Sequence, residues 1–426
     1  MDKKNFKYRY YSLIAVSLFL ILINSCITVY DTINNRNYAD LYNPGQRTMH
    51  PEYFIYQKSA DDVRLYFRFF PKEFAYSVLG IDTVPTANVS LFFRVTNSYS
   101  SVEIIDSLTS TFRLKSPPHK QFLGYVPVRL PKQGRYIIEI FLSDNLSRNF
   151  VSTVLDYDYS HTNGTSNFMF ISKFGNPYFY NWFSPVDTFR IKHELNNLQD
   201  VRVTYYKPDT ILPLPPDIQK DISLTLVPVD SSWIVKGIDT AVFSFKNKGT
   251  YYFSEPGSLK GKVFSCYNKS YPYVKTPIEL LKPIAYIASY RELKKIKKCT
   301  TPKVAVDSFW LGIANNVDKA RELIRVYYNR VQLANYYFAD YRQGWQTDRG
   351  MIYVICGAPS YIQKTDTGEK WVYGQHANEI TSFFFYREKH PVFGDVFILE
   401  RSDLYARMWY SAISTWRDGR VFSLNP

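Results

Sequence analysis

The hydrophobic period of this chain changes near Pro277, and that change divides what each part can fold into. Upstream, apolar residues alternate in twos over short runs, as in Val63–Phe69, Asn88–Val95 and Arg135–Leu142. Period two is the signature of strands with one face buried. Downstream, apolar residues recur at three and four. Ala320, Ile324, Tyr327, Val331, Ala334, Phe338 and Tyr341 form one stripe, the buried face of a helix spanning 317–341. The stripe is too short for a coiled coil, so it packs within its own domain.

The upstream part reads as two β-rich regions. The first, 51–160, has strands at short spacing and no helical stretch, which suggests an antiparallel β-sandwich. A turn-rich break at 161–166 leads into the second, 161–275, with strands at Asp187–Lys192, Val201–Tyr206 and Lys248–Phe253. Pro208, Pro213, Pro215 and Pro216 mark a stiff loop between them. Gln133–Ile138 and Lys248–Phe253 echo each other, and the first resembles a late strand of immunoglobulin-like modules. The 37 Tyr and 31 Phe suit half-buried sheet faces.

Region 276–426 reads as α+β. A helical segment at 278–298 precedes the long helix. Four strand candidates follow it: Met351–Cys356, Lys370–Tyr373, Ile380–Tyr386 and Val396–Glu400. A final helix at Asp403–Trp416 has Ser402 as its cap and Gly419 beyond its end. The expected fold is therefore multidomain and mainly β. Two tandem immunoglobulin-like β-sandwiches precede an α+β domain of a long helix and an antiparallel sheet.

Between the long helix and the first strand candidate stands Gly344-Trp345-Gln346-Thr347-Asp348-Arg349-Gly350, then Gly357-Ala-Pro359 and Trp371-Val-Tyr373. With Tyr327-Tyr328, Asn335 and Phe338 upstream, this order resembles the GWxTD domain lipoproteins of Bacteroidota, over about 280–426. The resemblance implies an envelope protein and assigns no activity. The run from the strand candidate through Gly-x-Pro to Trp-x-Tyr also resembles the small lipoprotein that accompanies the β-barrel assembly machine. Physically, Gly344 and Gly350 are read as supplying backbone angles closed to other residues. Thr347 and Asp348 would bind nearby N–H groups, and Trp345 would be core. The corner reads either as a built turn that orients the sheet or as a recognition surface, and Arg349, paired with Asp348 or a carboxylate elsewhere, is expected to be partly exposed and to anchor a partner. On that reading Trp345→Ala costs about 3–5 kcal/mol, whereas Arg349→Ala costs roughly 0–1 kcal/mol.

The N-terminus carries targeting information. Lys3, Lys4, Lys7 and Arg9 precede the apolar run Leu13–Ile23, which is interrupted only by Ser17. That run is shorter than the ~20 residues of a membrane span and fits a signal peptide over 1–25. Ile23-Asn-Ser-Cys26 resembles a bacterial lipobox, which implies lipid on the Cys26 sulfur. Residues 26–50, polar and rich in Asn, read as a lipidated tether. The first acid after Cys26 is Asp31. Surface-exported lipoproteins of this phylum have acids immediately after the cysteine, so the chain is expected to face the periplasm, from the outer membrane. Asp-Ser/Thr-apolar triplets mark Thr32, Thr83, Ser107, Thr210 and Thr240 as candidates for O-glycosylation, by resemblance to acceptors in the same phylum.

The net charge is +14; losing residues 1–25 removes four basic residues and Asp2, leaving +11. An exported protein is poorly placed to meet nucleic acid. The basic run Arg291–Lys298 has helical spacing and reads as a solvated face. Cys266, Cys299 and Cys356 are neither a disulfide framework nor a zinc pattern, although one pair can close. The six histidines (50, 119, 161, 193, 376 and 390) are scattered, with no metal-ligand spacing. No cofactor, metal or catalytic set is expected. The expected role is a non-enzymatic interaction scaffold, held to the membrane by lipid, within a protein complex of envelope assembly or secretion. The alternatives are a hydrolase using Asp348 and Arg349, in which His376 could join Asp348, and a glycan binder using exposed aromatics.

Overall fold

A computed structural model describes residues 32–78, 84–117, 119–159, 164–194, 198–219, 227–374 and 380–424. Cys26, Thr83, His161 and His376 lie outside the described residues. The chain is mainly β, with several antiparallel sheets and helices gathered toward the C-terminus.

The first β unit contains β1 (Glu52–Gln57), β2 (Val63–Phe69), β3 (Thr86–Thr96), β4 (Asp106–Lys115), β5 (Phe122–Val128), β6 (Gly134–Asp144) and β7 (Phe150–Tyr159). They form two antiparallel sheets, ordered β1-β2-β5 and β4-β3-β6-β7. Alternation works as the sequence requires: Val63, Leu65, Phe67 and Phe69 of β2 are buried and the residues between them are not. These meet Val89, Phe93, Ile138 and Ile140 in one core shared by both sheets.

The second unit contains β8 (Met169–Ser172), β9 (Trp182–Phe183), β10 (Phe189–Lys192), β11 (Asp200–Tyr206), β12 (Ser231–Lys236), β13 (Gly249–Ser254) and β14 (Gly261–Cys266). Strands β10 and β8 pair, and β12-β11-β13-β14-β9 form a five-stranded sheet whose β14–β9 contact is parallel. Its core is dominated by aromatics, with Phe170 stacked on Phe264 at 4.1 Å. The echo between the two units is also structural. Tyr136 donates to the carbonyl of Lys132 at 2.7 Å, and Tyr251 to that of Asn247 at 2.9 Å.

The helices are α1 (Pro277–Leu281), α2 (Tyr290–Lys298), α3 (Pro302–Ala314), α4 (Val317–Phe338), α5 (Asp348–Cys356) and α6 (Ala406–Arg417). The expected helix at 278–298 is broken, because Pro283 has no N–H to continue it and Ser289 caps a new start with Glu292. Helix α3 went unread although Pro302 opens it and Asn315, at φ 59°, closes it. The last sheet is the antiparallel meander β15 (Tyr361–Thr365), β16 (Gly368–Tyr373), β17 (Thr381–His390) and β18 (Gly394–Leu399).

Two further expectations fail. Met351–Cys356 is not a strand but the body of α5. This helix is buried on all sides, so it carries no amphipathic period to read. Residues 32–50 are not a loose tether. Ile33, Tyr38, Leu41 and Tyr42 enter the helical core, and Met49 enters that of the first β unit. The polar residues around them disguise these five buried anchors.

Candidate functional site

The corner between α4 and α5 is assembled from backbone contacts too close for side chains. A Cβ on Gly344 would meet the Ala334 carbonyl oxygen at 1.9 Å, and one on Gly350 would meet the Gly344 carbonyl oxygen at 1.8 Å. Neither glycine has a positive φ, so close approach and not backbone angle requires them. Asn335, fully buried in α4, accepts the Trp345 N–H at 3.2 Å and donates to the Pro272 carbonyl at 3.0 Å. Thr347 caps α5: its hydroxyl accepts from the Gly350 N–H at 3.0 Å and donates to the Gly344 carbonyl at 2.8 Å. Trp345 is core, as expected. Its ring meets Tyr286 edge-on at 5.8 Å, and its N–H donates to Gln343 at 3.1 Å.

The two charges of the corner do not face each other. The carboxylate of Asp348 receives Arg401 at 2.7 Å and the Leu399 N–H at 2.8 Å, tying the start of α5 to the end of β18. Arg349 turns the other way, lies over the Phe397 ring at 3.8 Å and pairs with Glu369 at 3.3 Å. Glu369, in β16, is buried and also receives Lys364 at 2.6 Å, Tyr42 at 2.9 Å and the Trp371 N–H at 2.9 Å. Burial alone would raise its pKa, but Lys364 and Arg349 outweigh that and hold it at about 2. The expectation of a partly exposed Arg349 is therefore corrected. Its side chain is 14% exposed against a carboxylate at 1%, because strand β16 brings a buried acid under it that no local spacing signals. Glu369, Lys364, Tyr42 and Arg401 were all missed from the sequence for the same reason.

Residues 249–418 match the GWxTD domain family. That stretch is a GWxTD domain. No curated protein matches the chain. Solved structures with some likeness include the crystal structure of Bacteroides uniformis beta-glucuronidase. That match has 15% identity, covers 28% of this chain and 13% of that one, and has a TM-score of 0.19, which carries no argument. The GWxTD match starts earlier than the stretch legible by eye, at Gly249, and so takes in β13 and β14. The structure gives a reason: Thr250 of β13 donates to the Tyr341 carbonyl at 2.8 Å, and Tyr271 to that of Asn335 at 2.9 Å.

Outside the corner of the GWxTD domain lies a groove of about 960 Å³ bounded by all three parts of the chain. Phe54 and Asp156 come from the first β unit, Phe179 and Asn181 from the part of the second that precedes Gly249, and Lys262, Arg349 and Phe397 from the GWxTD domain. Lys262 donates to the Phe168 carbonyl at 3.0 Å, and burial lowers its pKa to about 8.

The remaining expected sites are spread out. Thr32 is half-buried and bonded to Asn34 at 2.7 Å, while Ser107, Thr210 and Thr240 are exposed. Cys266, Cys299 and Cys356 are all free, and burial pushes the thiols of Cys266 and Cys356 up to about 12. Among the described residues no group of three or more His, Cys, Asp or Glu is placed to hold a metal, and no helix is long and apolar enough to cross a membrane.

Proposed function

We propose that this chain is a lipoprotein, anchored through Cys26 and facing the periplasm from the outer membrane. There it serves as a non-enzymatic interaction scaffold in envelope assembly or secretion. The observation that carries the scaffold reading is the groove at the meeting of three parts, set against a corner whose charges are spent internally. Asp348 is held by Arg401 and Arg349 by Glu369, pairings that support a structural role for the corner. Paired sheets with a shared core, and the Tyr136 and Tyr251 hydroxyls turned back to carbonyls four residues upstream, support immunoglobulin-like sandwiches as the spacer modules. Exposed Ser107, Thr210 and Thr240 are available for O-glycans.

Photo-crosslinking of the full chain in native membranes, followed by mass spectrometry, tests the scaffold. A reproducible envelope partner is expected, and adducts no different from those of an unrelated lipoprotein would remove the reading. Loss of radioactive palmitate labelling in Cys26→Ala tests the anchor. For glycan binding, the Tyr180–Trp182 stack at 4.4 Å is half-buried, with Trp182 also against Tyr271 and Tyr336, and a glycan array on the full chain tests that reading.

A further inference from the structure

The groove is bounded by sheet edges. Strands β1, β7 and β18 are each outermost in their sheets, and β14 pairs with β9 only at Ser265 and Cys266. The hydrogen bonds that are made fix which residues point outward. Lys58 N–H reaches the Asp62 carbonyl, which turns Ile55 away from β2. Asp144 N–H reaches the Asn149 carbonyl, which turns Asp156 and Asp158 away from β6. Glu400 N–H reaches the Phe384 carbonyl, which turns Asp395 and Phe397 away from β17. Ser265 N–H reaches the Asn181 carbonyl of the opposite neighbour, so Val263 also faces outward. All six residues line the groove.

The same edges are closed elsewhere by side chains. Asn167 takes the Gln57 carbonyl, Arg47 that of Ser152, Thr165 that of Gly261, and Asp348 takes the Leu399 N–H. The six groove residues have no backbone partner on their outer sides among the described residues. A row of unpaired N–H and C=O groups is a template for another strand. The charges beside it largely cancel: Asp156 meets Arg387 and Arg135, and Lys389 lies between Asp158 and Asp395. The walls include three half-buried aromatics, Phe54, Phe179 and Phe397. An edge without net charge beside aromatic walls suits an extended backbone whose alternate side chains are apolar.

We infer that the groove takes an extended segment of a partner polypeptide, added as a strand to one of the two edges that offer successive free residues there, β7 or β18. This rests on the interaction-scaffold reading and names its site. The probe is a peptide selected from a phage-displayed random dodecapeptide library on the full chain in detergent, then synthesised with backbone N-methyl groups on one or the other alternate set of residues. One set is expected to weaken binding at least tenfold and the other to leave it unchanged. Asp158→Pro and Asp395→Pro remove outward N–H groups, which edge strands tolerate, together with the carboxylates beside Lys389, so each is read against the Ala variant at the same position. The variant on the edge that the peptide joins is expected to weaken binding and the other to leave it unchanged, and neither to lower the melting temperature. Failure to select a peptide, or equal effects of both N-methyl sets, overturns the inference. The N-methyl comparison needs no variant of the chain, so a proline variant that misfolds leaves the test intact. Photo-crosslinkers at positions 158, 395 and 297 separate the two readings. A partner captured only from 297 overturns the groove and keeps the scaffold, and capture from none overturns both.

Discussion

Arg349 holds its charge where water is nearly excluded, and this reverses what its position in a surface-like motif suggests. Removing one member of a buried ion pair leaves the other uncompensated, at about 3–5 kcal/mol. Glu369 keeps Lys364, Tyr42 and Trp371, so Arg349→Ala should fall near the lower end. That is comparable to the ~3–5 kcal/mol of deleting the Trp345 ring. Urea titration of both variants checks this, and a loss below about 1 kcal/mol for Arg349→Ala would return it to the surface class. The same carboxylate sets an acid limit. A folded-state pKa of about 2 against an ordinary 4.5 gives stability that is complete above 4.5 and lost as pH falls toward 2. Glu292, also held at about 2, with Arg417 and Ser289 overcoming its burial, titrates in the same window. Glu369→Gln should therefore be less stable at neutral pH and show a flatter acid decline than the parent, read by denaturant midpoints across that window. Glycines give a contrast of sign. Gly350→Ala forces backbone apart and should cost about 1–3 kcal/mol. Gly312→Ala meets nothing within 4 Å on an exposed turn of α3 and should stabilise by about 0.5–1 kcal/mol. Thermal melts of the two variants should move in opposite directions.

At the scale of elements, burial decides what was legible. Strand β2 matches its expected bounds because one face is wet and one dry. Helix α5 did not, because Met351 to Cys356 are all buried and the helical signal survives only in the Thr347 cap. The N-terminal segment is the other element that composition misreads. Tyr38 donates to Glu139 of β6 at 2.8 Å, and Tyr42 to Glu369 of β16 at 2.9 Å. Two tyrosines four residues apart thus clasp the first β unit to the GWxTD domain. Hydrogen bonds to charged groups contribute about 1.5–3 kcal/mol each. The Tyr38→Phe, Tyr42→Phe double variant should therefore release residues 32–50 to hydrogen exchange before the sheets. Unchanged protection there would show that Ile33 and Leu41 hold the segment by burial alone.

At the scale of the whole molecule, Asp156 of β7 joins Arg135 of its own sheet, Arg387 of β17 and the Tyr99 hydroxyl. It is a second bond between the first β unit and the GWxTD domain, independent of the N-terminal clasp. Asp156→Asn should weaken that docking by about 2 kcal/mol and split one thermal transition into two in calorimetry, while each part keeps its own core. A single unchanged transition would mean that the remaining ties, Arg135 to the Asp366 carbonyl, Tyr336 to Glu52 and the apolar contacts of Tyr99 and Val154, suffice.

The sequence by itself determined the local periods, β2, β3, β6, β10, β11 and β13 in the front half, the long helix and the motif that marks the GWxTD domain, since these depend on neighbours within one turn or one ladder. It also showed Trp345 as core, because a ring of that size has few other places to go. Only the tertiary structure decided that Gly344 and Gly350 serve close approach, that Asp348 and Arg349 separate toward Arg401 and Glu369, that residues 32–50 pack, and that four sheet edges surround one groove. Those facts depend on residues far apart in sequence meeting in space, and neither spacing nor composition encodes which carboxylate lies beneath which arginine.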